Sequence, residues 1–260
     1  MPLIINIQQP SSHFDLAINA EFSASGIIGL FGPSGSGKTT LLRAIAGINN
    51  QSSGSIHFNE YNWLLNKEKT KENQPLIGMV FQDSRLFEHL TVAKNFDIVN
   101  QTASTDALSQ LMSDLDITPL LNKFAHQLSA GQKQRVAIVR SLIACPQLLL
   151  LDEPLSALDN KTKRNIMKVL KKYSQDYALP MIYVSHHIEE INYLCDELML
   201  IDQGKLIDSG PCKTLLEKHH LLPHQSDIIT IDNDKKQITL QLSDSAYNQL
   251  SQRKKIKLSD

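Results

Sequence analysis

The stretch GIIGLFGPSGSGKTTLLRAIAG, residues 26–47, constrains this chain more than any other. A short apolar run leads into a loop of Gly32, Pro33, Ser34, Gly35, Ser36 and Gly37, after which Lys38, Thr39 and Thr40 open a segment with helical spacing. Gly32, Gly37, Lys38 and Thr39 fit G-x-x-x-x-G-K-[ST] in the strand, loop, helix context that gives the pattern its meaning. Glycines let backbone N–H groups converge on phosphate oxygens, and the positive end of the helix adds favourable potential. Lys38 is placed to bridge the β- and γ-phosphates of a nucleotide, and the Thr39 hydroxyl to ligate magnesium. The spacing predicts a helix over 39–48 with Leu41, Leu42, Ile45 and Ile48 on one face, ended by GINNQSSGSIHF, which begins another strand.

The rest of the chain supplies the other parts of an α/β fold. LIINI and FDLAINAEF alternate like strands ahead of the loop, whereas LIGMVFQ, QLLLLDEP and PMIYVSHH carry the short apolar runs of parallel strands covered on both faces. Residues 83–146 read as a mainly helical insertion, in which Leu108, Leu111, Met112 and Leu115 follow helical spacing behind a Ser104 or Thr105 cap. A later helix carries an apolar stripe of Ile166, Val169, Leu170 and Tyr173, and ELMLIDQGKLIDSG reads as a hairpin turning at Gln203 and Gly204. NKEKTKENQ is too polar to bury and is expected to be a surface loop. DIITIDNDKKQITLQL alternates like one or two strands of a short appendage.

The 260 residues, 42% hydrophobic and 20% charged, suit one large α/β domain or one domain with an appendage. A net charge of −1 provides no basic field for nucleic acid or an anionic membrane. No apolar run reaches the roughly 18 to 20 residues needed to span a bilayer, and the N-terminal residues lack a signal-peptide pattern, so the chain reads as cytoplasmic. Cys145, Cys195 and Cys212 show no metal-site or disulfide spacing and are expected to be reduced thiols.

The glycine loop alone is compatible with kinases, GTPases, helicases and transport motors. LSAGQKQRVAIVRSLIACPQLLLLDEP, residues 128–154, is more specific. Leu128, Ser129, Gly131 and Gln132 resemble the signature of the ATP-binding cassette family, with Ala130 where the family usually has glycine. Asp152 and Glu153 end an apolar run, at the strand edge where α/β folds bind ligands. Gln82 in VFQD, SALD ending at Asp159, and His186 in YVSHH complete the order of family motifs.

The resemblance, covering about residues 3–216, implies a RecA-like α/β core with an N-terminal antiparallel β subdomain and a helical insertion. It implies that residues 1–225 form the cassette, with helical subdomain 83–146, and that 226–260 form a tail too short for a complete oxyanion-binding domain. By the same resemblance Asp152, with Thr39 and Gln82, holds magnesium; Glu153 polarises the attacking water; and His186, rather than His187, is the γ-phosphate switch. Ser129, Gly131, Gln132 and Asp159 join the nucleotide site, and His13 or Phe14 stacks on adenine. The family's cassettes sandwich two ATP molecules in a head-to-tail homodimer, each signature facing the partner's phosphates. With no spans of its own, the chain is expected at the cytoplasmic face of the inner membrane, docked on separate permease subunits through the helical insertion near Phe87 and Leu90. VFQDSRLFEHLTV, PLSALD and PMIYVSHHIEEI look most like the ATPase subunit of molybdate importers, which work with an extracytoplasmic solute-binding protein. Sulfate, iron or polyamine uptake would use the same chemistry. A non-transport cassette protein would usually show two cassettes or a long coiled coil, and a kinase would need an acceptor pocket rather than a signature.

Overall fold

The computed structural model describes residues 2–10, 14–23, 25–48, 52–63, 75–99, 105–156, 158–222, 227–232 and 237–241. The predicted surface loop NKEKTKENQ, His13 and Ser104 lie outside them. The chain divides into two compact units, Met1–Leu216 and Glu217–Asp260.

The first unit is organised around a ten-stranded sheet. Its strands are β1 (Leu3–Gln9), β2 (Leu16–Phe22), β3 (Ile27–Phe31), β4 (Ser53–Phe58), β5 (Tyr61–Trp63), β6 (Ile77–Val80), β7 (Leu148–Asp152), β8 (Met181–Val184), β9 (Glu197–Asp202) and β10 (Lys205–Pro211). Their spatial order is β5-β4-β1-β2-β10-β9-β3-β8-β7-β6. The β5 to β2 end is antiparallel and alternates as its sequence does: Leu3, Ile5 and Ile7 are buried while Asn6 and Gln8 face outward, the period-two pattern of a half-covered sheet. From β9 to β6 all neighbours are parallel, and every residue of β7 and β8 is buried. This double covering is what the unbroken apolar runs encode. The hairpin between β9 and β10 turns at Gln203 and Gly204 as expected.

Helix α1 (Lys38–Ile45) lies in the main core, where Leu41, Leu42, Ala44 and Ile45 join the inward residues of β1, β2, β4 and the parallel strands. It is shorter than its sequence predicts. Gly47 N–H donates to the Ala44 carbonyl and Ile48 N–H to the Arg43 carbonyl, a pair of bonds that terminates a helix. Ile48 is therefore 53% exposed and does not extend the buried face.

The insertion carries α2 (Val92–Asp97), α3 (Thr105–Asp114) and α4 (Ala130–Ile143), with two short 3-10 turns between α3 and α4. Helix α5 (Asn160–Asp176) connects β7 to β8, α6 (Ile188–Leu194) connects β8 to β9, and α7 (Cys212–Lys218) follows β10. On α5 the buried positions are Ile166, Met167, Leu170 and Ser174, so the buried stripe is rotated from the predicted one and Val169 and Tyr173 sit at its margin. Cys145, Cys195 and Cys212 are free thiols. No helix among the described residues is long and apolar enough to cross a membrane. In the second unit, β11 (Asp227–Asp232) pairs antiparallel with β12 (Gln237–Gln241).

Candidate active site

Four chain segments leave the same edge of the sheet. The glycine loop follows β3, His186 follows β8, Asp152 ends β7 with Glu153 next after it, and Gln82 lies two residues beyond β6. Because β3, β8, β7 and β6 are adjacent and parallel, their C-terminal ends bring residues distant in sequence to one line.

The loop is closed by its own lysine: Lys38 Nζ donates to the carbonyls of Gly32 and Pro33, each at 2.8 Å. Gly32 cannot carry a side chain, since a Cβ there would stand 2.0 Å from the Ile201 carbonyl oxygen. Gly37 caps α1 at φ 102°, a conformation costly for any residue with a Cβ. Inside the loop the Ser36 hydroxyl is buried without a hydrogen-bond partner among the described residues. Such a group loses its hydration with nothing in exchange, and an entering phosphate oxygen would satisfy it. Burial lowers the Lys38 pKa, an effect partly offset by the Glu153 and Asp152 carboxylates.

Thr39 Oγ1 donates to Asp152 Oδ1 at 3.1 Å, so the two oxygens assigned to magnesium are already neighbours. Burial raises the Asp152 pKa, the Thr39 bond counters that, and the Glu153 charge adds to it. A desolvated carboxylate beside another carboxylate favours a cation, and an all-oxygen donor set suits magnesium. Gln82 reaches the same edge but is exposed and makes no side-chain bond to Asp152 or Glu153. Its loop is held from α4: Gln134 Nε2 donates to the Phe81 carbonyl at 3.2 Å, and Arg140 Nη2 to the Arg85 carbonyl at 3.0 Å.

Glu153 has the backbone angle φ 46° and donates its N–H to the Val184 carbonyl at 3.1 Å. Its Oε2 lies 3.2 Å from His186 Nδ1, so the two residues assigned to water activation and to the switch meet directly. The His187 ring lies against His186, with centroids 4.0 Å apart and planes tilted by 40°, and has no bond to Glu153.

The signature lies at the start of α4. Ser129 and Gln132 form a reciprocal cap: Ser129 Oγ accepts from Gln132 N–H at 3.3 Å, and Gln132 Oε1 accepts from Ser129 N–H at 3.0 Å. Both bond to each other rather than to the glycine loop of the same chain. Asp159 caps α5, accepting from Thr162 N–H at 3.0 Å and Thr162 Oγ1 at 2.6 Å, and these bonds lower its pKa. Of the two aromatic candidates, Phe14 lies against the loop, its ring 3.2 Å from where a Gly37 Cβ would be.

Residues 16–156, just over half of the chain, match the family model described as ABC transporter. The chain belongs to the ABC transporter family. Among curated ABC relatives, it is 40% identical over 205 residues to the Molybdenum import ATP-binding protein ModC of Saccharophagus degradans, covering 77% of this chain and 57% of that protein. It is 38% identical over 241 residues to the protein of the same name from Salmonella choleraesuis, covering 88% and 67%. The chain spans about three fifths of the length of most curated relatives it matches. Among solved structures, cbiO1 from Clostridium perfringens, part of the ABC transporter complex cbiONQ, superposes with TM-score 0.68 at 27% identity, covering 85% of this chain and 92% of that one. A dimeric post-hydrolysis state of the ATP-binding cassette MJ0796 bound to ADP and Pi gives TM-score 0.68 at 24% identity over 82% and 99%, a likeness of fold.

Sequence reasoning missed the residues that hold these ABC motifs in place, chiefly Ser185, Glu190 and Gln134. Glu190 is buried although charged. The available signal was its position on α6, one residue before Ile191 and four before Leu194, which sets a carboxylate on the apolar face.

Proposed function

We propose that this chain is the ATP-hydrolysing subunit of an ABC importer that takes up molybdate, and tungstate as a related oxyanion, through separate transmembrane subunits. The observation that carries the ATPase part is the contact of Glu153 Oε2 with His186 Nδ1 at the edge shared with the glycine loop. The molybdate part rests on relatives named as molybdenum import proteins.

The glycine loop binds the phosphates through backbone N–H groups, Ser34, Ser36 and Thr40 lying along it, while Lys38 exchanges its two carbonyl partners for phosphate oxygens. Thr39 and Asp152, with Gln82, would hold magnesium, which when bound supplies charge neutralisation on the phosphates. Glu153 orients and deprotonates water, and His186, whose Nδ1 lies against that carboxylate, is the γ-phosphate switch beside it. Phe14 is the aromatic that stacks on adenine. Ser129 and Gln132 bond to each other rather than to the glycine loop of their own chain, which supports a role for Ser129, Gly131 and Gln132 toward the partner's nucleotide in a head-to-tail homodimer. Asp159, at the head of α5, is assigned to the same nucleotide.

Residues 1–225 form the cassette and 226–260 an appendage. The chain is a peripheral subunit on the cytoplasmic face of the inner membrane. There the surface around Phe87, 44% exposed, and half-buried Leu90 docks the permease, an extracytoplasmic binding protein delivers solute, and no nucleic acid is involved. Loss of the gene should abolish high-affinity molybdate uptake while sulfate uptake persists, and the purified chain with its permease should hydrolyse ATP. Loss of sulfate, iron or polyamine uptake with molybdate uptake intact would redirect the solute assignment.

A further inference from the structure

His186 stands in a three-residue passage between β8 and α6, and the anchor of that passage is a carboxylate one turn into the helix. Glu190 is 6% exposed, yet its two oxygens accept three hydrogen bonds. Lys163 Nζ donates to Oε1 at 2.9 Å, and Tyr183 OH and Ser185 Oγ donate to Oε2 at 2.7 and 2.8 Å. Tyr183 and Ser185 are two residues apart, so strand geometry turns both hydroxyls to the same side. Burial pushes the Glu190 pKa up, but the bonds from Lys163, Tyr183 and Ser185 outweigh it and hold the group below the usual carboxylate range.

An ionised carboxylate only accepts, and this fixes the direction of every bond around it. The Ser185 proton points to Glu190, which leaves a hydroxyl lone pair for the His187 N–H, 3.0 Å away. The backbone on the far side of His186 is thereby held, and the ring lies with Nδ1 beside Glu153. Lys163 extends the anchor to α5, whose first turn Asp159 caps. We propose that Glu190 is a positioning residue for His186, acting through the Ser185 hydroxyl and the His187 amide to aim the imidazole at Glu153. The kinetic part of this proposal rests on the ATPase reading above.

Glu190→Gln separates the two sides of the anchor. With its amide oxygen toward the hydroxyls it keeps the Ser185 bond, and with its NH2 toward Lys163 it loses the ion pair. Displacing a reacting group by about 1 Å costs about 10²-fold in rate and a smaller shift less, so Ser185→Ala and Glu190→Ala should each lower kcat at least about tenfold. KM for ATP should stay within about threefold, because the glycine loop, Lys38 and Phe14 are untouched. Ser185→Thr and Glu190→Gln, which keep the hydroxyl relay, should recover most of kcat. The Ser185→Ala/Glu190→Ala double variant should lose no more than the worse single variant, since both cut the same path.

A second readout needs no hydrolysis: amide exchange at His187 in the nucleotide-free chain should accelerate about tenfold in Ser185→Ala and Glu190→Ala but not in Glu190→Gln. If Glu190→Ala does not fold, Ser185→Ala, which removes one hydroxyl, carries both measurements. An unchanged kcat in Ser185→Ala, additive losses in the double variant, or unchanged His187 exchange overturns the positioning role. If the unaltered chain and its permease hydrolyse no ATP while His187 exchange responds as expected, the proposed function falls and the anchoring stands.

Discussion

At the scale of single residues, the proposed chemistry bears most directly on Gly32 and Glu153. At Gly32 the obstacle is backbone, since the Ile201 carbonyl oxygen would lie 2.0 Å from a new Cβ, so relief requires the loop or β9 to shift. Gly32→Ala is expected to weaken ATP binding at least tenfold and to lower the melting temperature, as measured by nucleotide titration and calorimetry. Glu153→Gln should do the reverse: the amide keeps an oxygen for His186 but cannot take a proton from water. Binding should survive while turnover falls about 10²- to 10⁴-fold in a steady-state phosphate-release assay.

Helix α4 decides the matter at the scale of elements, because its first turn is a cap and is also the surface proposed to face a second copy. Ser129→Ala and Ser129→Arg each remove the hydroxyl that caps Gln132 N–H, so each should cost about 1 kcal/mol of stability in denaturant unfolding. Only the arginine adds bulk and charge where a partner's γ-phosphate is proposed to lie, so only that variant should also stop ATP hydrolysis in the reconstituted transporter. Equal ATPase loss in both would assign the effect to the helix. Elements of this kind were largely legible in the sequence. The alternation of β1 and β2, the apolar runs of β7 and β8, the Gln203 and Gly204 turn and the order of glycine loop, carboxylates and histidine are all local patterns. What was hidden depended on tertiary packing. The end of α1 at Ile45 is set by backbone bonds from Gly47 and Ile48, and Met167 rather than Val169 is buried because of what α5 meets. Glu190 stands on the apolar face of α6 in the sequence, but its partner Lys163, twenty-seven residues earlier, comes beside it only in the fold.

For the molecule as a whole, two buried carboxylates pull the acid limb of stability in opposite directions. The Glu190 pKa lies below its ordinary 4.5, so near that pH the unfolded chain binds more protons and stability falls as pH drops through the folded-state value. Asp152 is raised above its ordinary 3.8, so its contribution has the other sign, and stability falls as pH rises through its folded-state value. Glu190→Gln should therefore flatten the loss of stability below about pH 4.5 while Asp152→Asn steepens it, as read from denaturant midpoints across pH. The backbone of Glu153 bears on the same balance. Its φ of 46° is a left-handed conformation that disfavours any residue bearing a Cβ, by about 1 kcal/mol. A chain with glycine there should melt a few degrees higher and hydrolyse nothing, which makes the working protein the less durable of the two.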